Sequence, residues 1–479
     1  MLFNSYKFIA FFVIVCLVYF LLPNNRKIRN GFLLVASYYF YMCWEPIYAL
    51  LILTSTVITY FCGILVGKYA GDKKKQKTFL ISSLIINFAI LFVFKYYNFI
   101  NDSVFAILNK FGIQWHVPGL KVLLPVGISF YTFQAVGYSI DVYKGKIEPE
   151  RNFGIYALFV SFFPQLVAGP IERPLNMLHQ FYEEHRFDIE NVVAGMKMML
   201  WGFFKKIVIA DRLATYVDVI YNNPQASTGS SMLLATFFFA IQIYCDFSGY
   251  SDIAIGCAKC LDFKLMQNFR TPYFSNSIGT FWKRWHISLS SWFGEYVYIP
   301  LGGNRVKYWR WVFNIFVVFI LSGMWHGANW TFIVWGALHG FYYMLEKAVK
   351  QGTHKLFGDF EFKSVFKVIP ILLIFIMVML AWIFFRANSI GDAWYILSHI
   401  FTEPFSKLWL GESQWATLLS LLMVFVLFFI EFLQEKGIAS IYFSESKVPR
   451  PIRWAWYLFM LYAIAILGVS GNSFIYFQF

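Results

Sequence analysis

Charge is what this 479-residue chain has least of. Asp, Glu, Lys and Arg make up 14% of it, against about 25% in an ordinary soluble domain. With 59% hydrophobic and 22% aromatic residues and a mean hydropathy of +0.57, that deficit excludes a water-soluble enzyme and indicates a polytopic membrane protein. Cysteine is scarce as well. Cys16, Cys43, Cys62, Cys245, Cys257 and Cys260 lie in or beside apolar stretches and read as small buried hydrophobes, not as a disulfide framework. Cys257 and Cys260 form a CxxC with no second pair, which argues against a metal or redox site. HExxH, a clustered Cys/His set and GxSxG are all absent, so neither a metal site nor a serine-hydrolase elbow is expected. Internal repeats, low-complexity tracts and inverted-repeat symmetry are not evident either.

The charge that is present has a pattern. The formal balance of +14 raises nucleic-acid binding, but the basic residues fall in short clusters between apolar spans. These are Arg26-Lys27-Arg29, Lys73-Lys74-Lys75-Lys77, Lys205-Lys206, Lys347-Lys350 and Lys447-Arg450-Arg453. Such clusters follow the positive-inside bias of cytoplasmic loops, facing anionic lipid headgroups and an anionic cytosolic substrate. No nucleic-acid partner is expected. The first apolar run, 8–22, lacks a cleavage pattern and is followed by the basic cluster, so it reads as a retained helix with its N-terminus outside.

A span needs about 20 apolar residues. Runs meeting or approaching that length are 8–22, 47–67, 78–97, 153–169, 231–256, 311–325, 330–346, 368–385, 415–433 and 454–471. Residues 31–43 and 122–140 are apolar but interrupted, as re-entrant pieces are. The expectation is a single all-α transmembrane domain over 1–479, with about eleven spans plus re-entrant and amphipathic helices. Alternating the loops by charge puts both chain ends on the extracytoplasmic side, and His326 at the turn of a hairpin opened toward the outer half of the membrane.

Polar residues inside the apolar runs are the candidates for function, because ionisable groups at membrane depth are costly unless they have partners or a task. His326, within Trp325-His326-Gly327-Ala328-Asn329-Trp330, carries the side chain best suited to move a proton near neutral pH. Residues 281–293 read as one tryptophan-rich amphipathic helix with Trp282, Trp285, His286, Leu289 and Phe293 on one side. The glycines of Tyr298–Arg305 would let backbone approach an anionic ligand closely. Gln242 with Asp246, and Ser248 with Asp252, share helix faces. They point to a polar pocket, or equally to helix–helix hydrogen bonding. Asp246, Asp252, Asn329 and Arg305 are the candidate pocket residues. His339, about 220° around a continuous helix from His326, is assigned to packing.

Phe281–Arg305 and Gly323–Gly340 resemble the two signature regions of the membrane-bound O-acyltransferase family. The likeness is closest to its bacterial branch, typified by the alginate O-acetyltransferase membrane subunit. Leu124–Gly145, Phe162–Arg173, Ile243–Ile255, Asn268–Ser277 and the terminal Phe474-Ile475-Tyr476-Phe477-Gln478-Phe479 are similar to that branch too. The resemblance implies helices around a central funnel, His326 as the essential catalytic histidine, and His286 as its second recurrent polar position. It implies acetyl-CoA as donor substrate, with no permanently bound cofactor, in a bacterial cell membrane. Acetyl would be relayed outward to an extracytoplasmic hydrolase-like partner that modifies an exopolysaccharide or cell-wall polymer. Tyr476 is a candidate acyl carrier, because a phenol of pKa about 10 becomes nucleophilic when a base such as His326 is near; its alternative is an aromatic belt at the interface. D-alanyl transfer to teichoic acid, and a non-enzymatic transporter, are the rival readings.

Overall fold

The structure is a computed structural model, describing residues 1–120, 124–167, 169–357, 368–439, 448–469 and 474–475. Every regular element among the described residues is helical, in keeping with the composition. Many helices start at a side-chain cap: Asn25, Asp72, Asn152, Ser277, Ser389 and Ser413 each accept a backbone N–H of the first turn. Such a cap satisfies a donor that the helix itself leaves open.

Among the described residues, six helices are long and apolar enough to cross a membrane: Pro46–Lys68, Lys73–Lys110, Gly229–Cys260, Tyr308–His326, Val368–Arg386 and Gln414–Glu435. The expected span at 153–169 is broken. Helix Phe153–Ser161 ends at Phe162, whose ψ of 112° is not helical, and Pro164 lies in the short helix Phe163–Leu166. Proline has no backbone N–H to continue the first helix and is accommodated in the first turn of the next one. Tyr6–Leu21 is apolar but only 16 residues long. Trp330–Phe357 and Arg450–Leu467 are not among the six; the first carries charged residues along its second half, and the second opens with Arg450 and Arg453.

By their contacts the residues form two compact units, Met1–Gly195 with Ala254–Met266, and Met196–Ile253 with Gln267–Phe479. In the first, helices Ala49–Lys68, Lys73–Leu91 and Ile128–Tyr143 pack on one another, and Arg26–Met42 packs on Phe153–Ser161. Ile128–Tyr143 is buried nearly all round, so its polar side chains must bond internally; the Gln134 amide, for one, donates to the Phe159 carbonyl at 2.7 Å.

In the second unit, Tyr308–His326 and Trp330–Phe357 form a tightly packed hairpin, and Val368–Arg386 packs on the latter helix. Glycine makes the hairpin close. A Cβ on Gly323 would sit 2.2 Å from the Phe332 carbonyl oxygen, and small residues are what allow apolar helices such an approach. Gly323→Ala should therefore cost about 1–3 kcal/mol through overpacking against rigid backbone. Its unfolding midpoint in detergent should fall, whereas Gly31→Ala, where a Cβ meets nothing within 4 Å, should not lower it. Equal midpoints for the two variants would contradict the packing argument.

Candidate functional site

Residues 281–293 are not one helix. Ile278–Arg284 ends, Trp285 is extended, and His286 adopts left-handed backbone geometry (φ 44°, ψ 56°) before Ile287–Phe293 begins. The continuous face expected from helical spacing is therefore corrected to two short helices meeting at a kink. A left-handed non-glycine residue costs about 1–3 kcal/mol, and surrounding bonds must offset it. Asn268, fully buried, supplies them. Its carbonyl accepts the Ile287 N–H at 2.9 Å, and its side-chain Oδ1 accepts the Ser288 N–H at 3.2 Å and the Ser288 hydroxyl at 3.0 Å.

The same oxygen lies 3.0 Å from His286 Nδ1. Because a backbone N–H only donates, the Ser288 contact identifies this end of the amide as the acceptor. His286 must then carry its proton on Nδ1 and its lone pair on Nε2. Burial pushes the His286 imidazole well below its ordinary pKa, so the ring is neutral at pH 7.

The kink turns His286 toward the hairpin. Its ring lies 6.5 Å from that of His326, centroid to centroid, and 5.7 Å from that of Trp325. His326 is the last residue of Tyr308–His326, is 3% exposed, and is walled by Trp335 and Phe385 at 5.1 and 5.2 Å. The two signature regions thus each bring one buried histidine to the same place. His339 packs against Trp282 and Trp335, both at 4.9 Å. The chain breaks at 327–329 between the two helices, so the continuous-helix angle does not apply, but the packing assignment agrees with this setting.

The candidate pocket residues divide. Asp246 and Asp252 lie in this unit with lysine partners: Lys205 Nζ is 2.8 Å from Asp252 and donates to Ser248 Oγ at 2.8 Å, and Lys206 Nζ is 2.8 Å from Asp246 and 2.7 Å from Asp211. Lys205 and Lys206, 3% and 1% exposed, are therefore not a headgroup-facing loop cluster as their charge suggested. They lie in a wide π-helical turn, Phe204–Ala210, brought against Gly229–Cys260 where Gly202 and Gly249 meet backbone to backbone. The overlooked signal was the pair's setting between Met198–Phe204 and Ile207–Ala210, apolar on both sides.

Asn329 stands at the start of Trp330–Phe357, where its Oδ1 accepts the Thr331 N–H at 3.1 Å and its Nδ2 donates to the Asn388 carbonyl at 3.2 Å. Arg305 is exposed on the turn after Tyr298. That turn is fixed by Asn314, whose amide donates to the Leu301 and Gly303 carbonyls. Tyr476 lies outside the described residues. Ile475, just before it, donates its N–H to Asp246 Oδ2 at 2.8 Å.

A polar cavity of about 140 Å³ is lined by Lys205, Tyr244, Asp252, Phe269, Arg270 and Glu431, among others. Its lining includes exposed Arg270 and buried Phe269, whose ring stacks 6.3 Å from that of His286. Among the described residues, no group of three His, Cys, Asp or Glu side chains is placed to hold a metal.

Comparison with known proteins identifies relatives of the chain. The model of the membrane-bound O-acyltransferase family matches residues 152–386. The probable alginate O-acetylase AlgI of Pseudomonas aeruginosa is 39% identical over 84% of this chain and 75% of its own. The same protein of Pseudomonas putida is 35% identical over the full length of both chains. The peptidoglycan O-acetyltransferase of Helicobacter pylori is 36% identical over 83% of this chain and 79% of its own.

The Asn268–His286 bond has a pH signature. Asn268→Asp keeps an acceptor at Nδ1 but adds a negative charge, which raises the pKa of the adjacent imidazole. If neutral His286 is needed, the acid limb of the rate profile should move to higher pH, while Asn268→Leu, with no acceptor, should slow transfer at all pH by about 10²-fold. Initial rates between pH 5 and 9 check this; an unmoved acid limb together with a fully active Leu variant would contradict it.

Proposed function

The chain belongs to the membrane-bound O-acyltransferase family, and we propose that it passes acetyl from cytosolic acetyl-CoA across the membrane for O-acetylation of a surface polymer. It is an O-acyltransferase and a multi-pass membrane protein. The donor, the proton acceptor and the route outward are the proposed part. The observation that carries the reading is the meeting of His286 and His326, buried and 6.5 Å apart between ring centres.

In this reading His326 takes the proton of an attacking hydroxyl. The oxygen bonds to the thioester carbonyl carbon, the C–S bond breaks, and the proton passes to the sulfur so that CoA leaves as a free thiol. His286, with its lone pair on Nε2, orients the hydroxyl. The cavity of about 140 Å³ has room for the acyl end of the donor and not for the whole of it, and exposed Arg270 on its lining offers a cation to the phosphates. Tyr476 is the first acceptor, and its ester then serves an extracytoplasmic hydrolase-like partner. Burial of Phe474, whose ring lies 5.7 Å from Phe247 while Phe247 touches His286 at 4.5 Å, supports placing the chain end near the histidines. The relatives' names differ in polymer, alginate or peptidoglycan, which supports leaving polymer choice to the partner. Both chain ends are proposed to lie outside.

Vesicles holding the purified protein and acetyl-labelled acetyl-CoA test the reading. Label should appear on protein or acceptor, and His326→Gln should lower the rate by about 10²–10⁴-fold, or about 3–5 kcal/mol. Native-rate labelling by the variant would overturn the base assignment. Intact donor crossing the bilayer would favour a transporter, and labelling only from a D-alanyl carrier thioester would favour teichoic-acid chemistry.

A further inference from the structure

The segment that ends the described residues is docked, not lying on the surface. Phe474 and Ile475 are 0% and 2% exposed, and the Phe474 ring sits 4.4 Å from Tyr250 and 5.7 Å from Phe247. Its main chain is held by a buried carboxylate. The Ile475 N–H donates to Asp246 Oδ2 at 2.8 Å, while Asp246 Oδ1 meets Lys206 Nζ, which also reaches Asp211.

One ammonium therefore stands between two buried carboxylates. A buried lysine needs a counter-ion, and Asp211 alone provides one. A second buried carboxylate adds negative charge that calls for further donors. A backbone N–H is such a donor, and its bond to an ionised acceptor is about twice as strong as a neutral one. We propose that Asp246 is a positioning residue that docks the Phe474–Ile475 segment beside Phe247, the neighbour of His286, and that transfer depends on this docking. Its role in transfer rests on the Tyr476 relay reading given above; the docking does not. Because the contact is to main chain, it fixes the register of the segment whatever the side chain at 475, proline excepted. Phe247, the neighbour of Asp246 on the same helix, stands between the Phe474 ring and the His286 ring, so docking at Asp246 places the segment one aromatic ring from the histidine.

The rival explanation makes Asp246 merely a counter-ion of Lys206. Charge-matched variants separate the two, since Asp246→Ala leaves Lys206 with Asp211 and Asp211→Asn leaves it with Asp246. The reporter is Ile475→Cys in full-length, detergent-purified protein with Cys43→Ser, labelled with a maleimide. Asp246→Ala should speed labelling at least about tenfold, and Asp211→Asn should keep it within about twofold of the parent. In the transfer assay Ile475→Pro, which removes the donor but leaves the side chains of Lys206, Asp211 and Asp246 in place, should lose at least as much as Asp246→Ala, and the double variant should be no slower than Ile475→Pro alone.

Unchanged labelling in Asp246→Ala, or equal exposure in Asp211→Asn, overturns the docking. An exposed cysteine with undiminished transfer overturns the positioning role. If Asp246→Ala does not fold, Ile475→Pro decides alone, and its full activity overturns the proposal. Tyr476→Phe with native transfer would remove the relay reading, and labelling, which involves no acyl chemistry, would still decide whether Asp246 holds the segment.

Discussion

The kink at His286 is the constraint on which the site depends. A chain of this composition forms helices readily, and the sequence pattern through 281–293 fits one continuous helix, yet the chain breaks at Trp285 and His286. The left-handed residue reverses the chain locally, and Asn268 makes that reversal tolerable by taking up the Ile287 and Ser288 donors. The same amide oxygen sets the tautomer of the ring it has redirected. Backbone strain, main-chain satisfaction and imidazole chemistry are here settled by one buried side chain, as at many sites where strain and function coincide.

Scarcity of charge gives the remaining charges their weight. In the second unit the buried ionisable residues of Gly229–Cys260 are held by two lysines from the Phe204–Ala210 turn, and the meeting of Gly202 with Gly249 brings the two backbones close enough for those short contacts. The wide turn matters because it places Lys206 in reach of Asp211, five residues on, as well as of Asp246. One cluster faces the polar cavity through Lys205 and Asp252, and the other faces the C-terminal segment through Asp246.

The helical class, the membrane setting and the hairpin turn at His326 were legible in the sequence because each rests on composition or on long apolar runs. His326 was legible as a polar residue in a place where polarity is expensive, and His286 through the resemblance that its segment carries. What was not legible depends on breaks in periodicity. A pattern that fits a helix over thirteen residues gives no sign that position 286 will turn left-handed, since the bonds that permit it come from Asn268, eighteen residues away in sequence. Lys205 and Lys206 were misread for a related reason: charge alone suggests a loop, and only the apolar residues on both sides reveal burial. Asn329 and Arg305 were drawn in by their motifs, yet one caps a helix and the other lies exposed on a turn.

The account holds that His286 and His326 work as one unit on a single reacting group. A double-mutant cycle in initial transfer rate, using His286→Ala, His326→Ala and the pair in correctly inserted protein, tests this most directly. The account predicts that the double variant is no slower than His326→Ala alone. Losses that multiply, each histidine contributing its full factor independently, would contradict it.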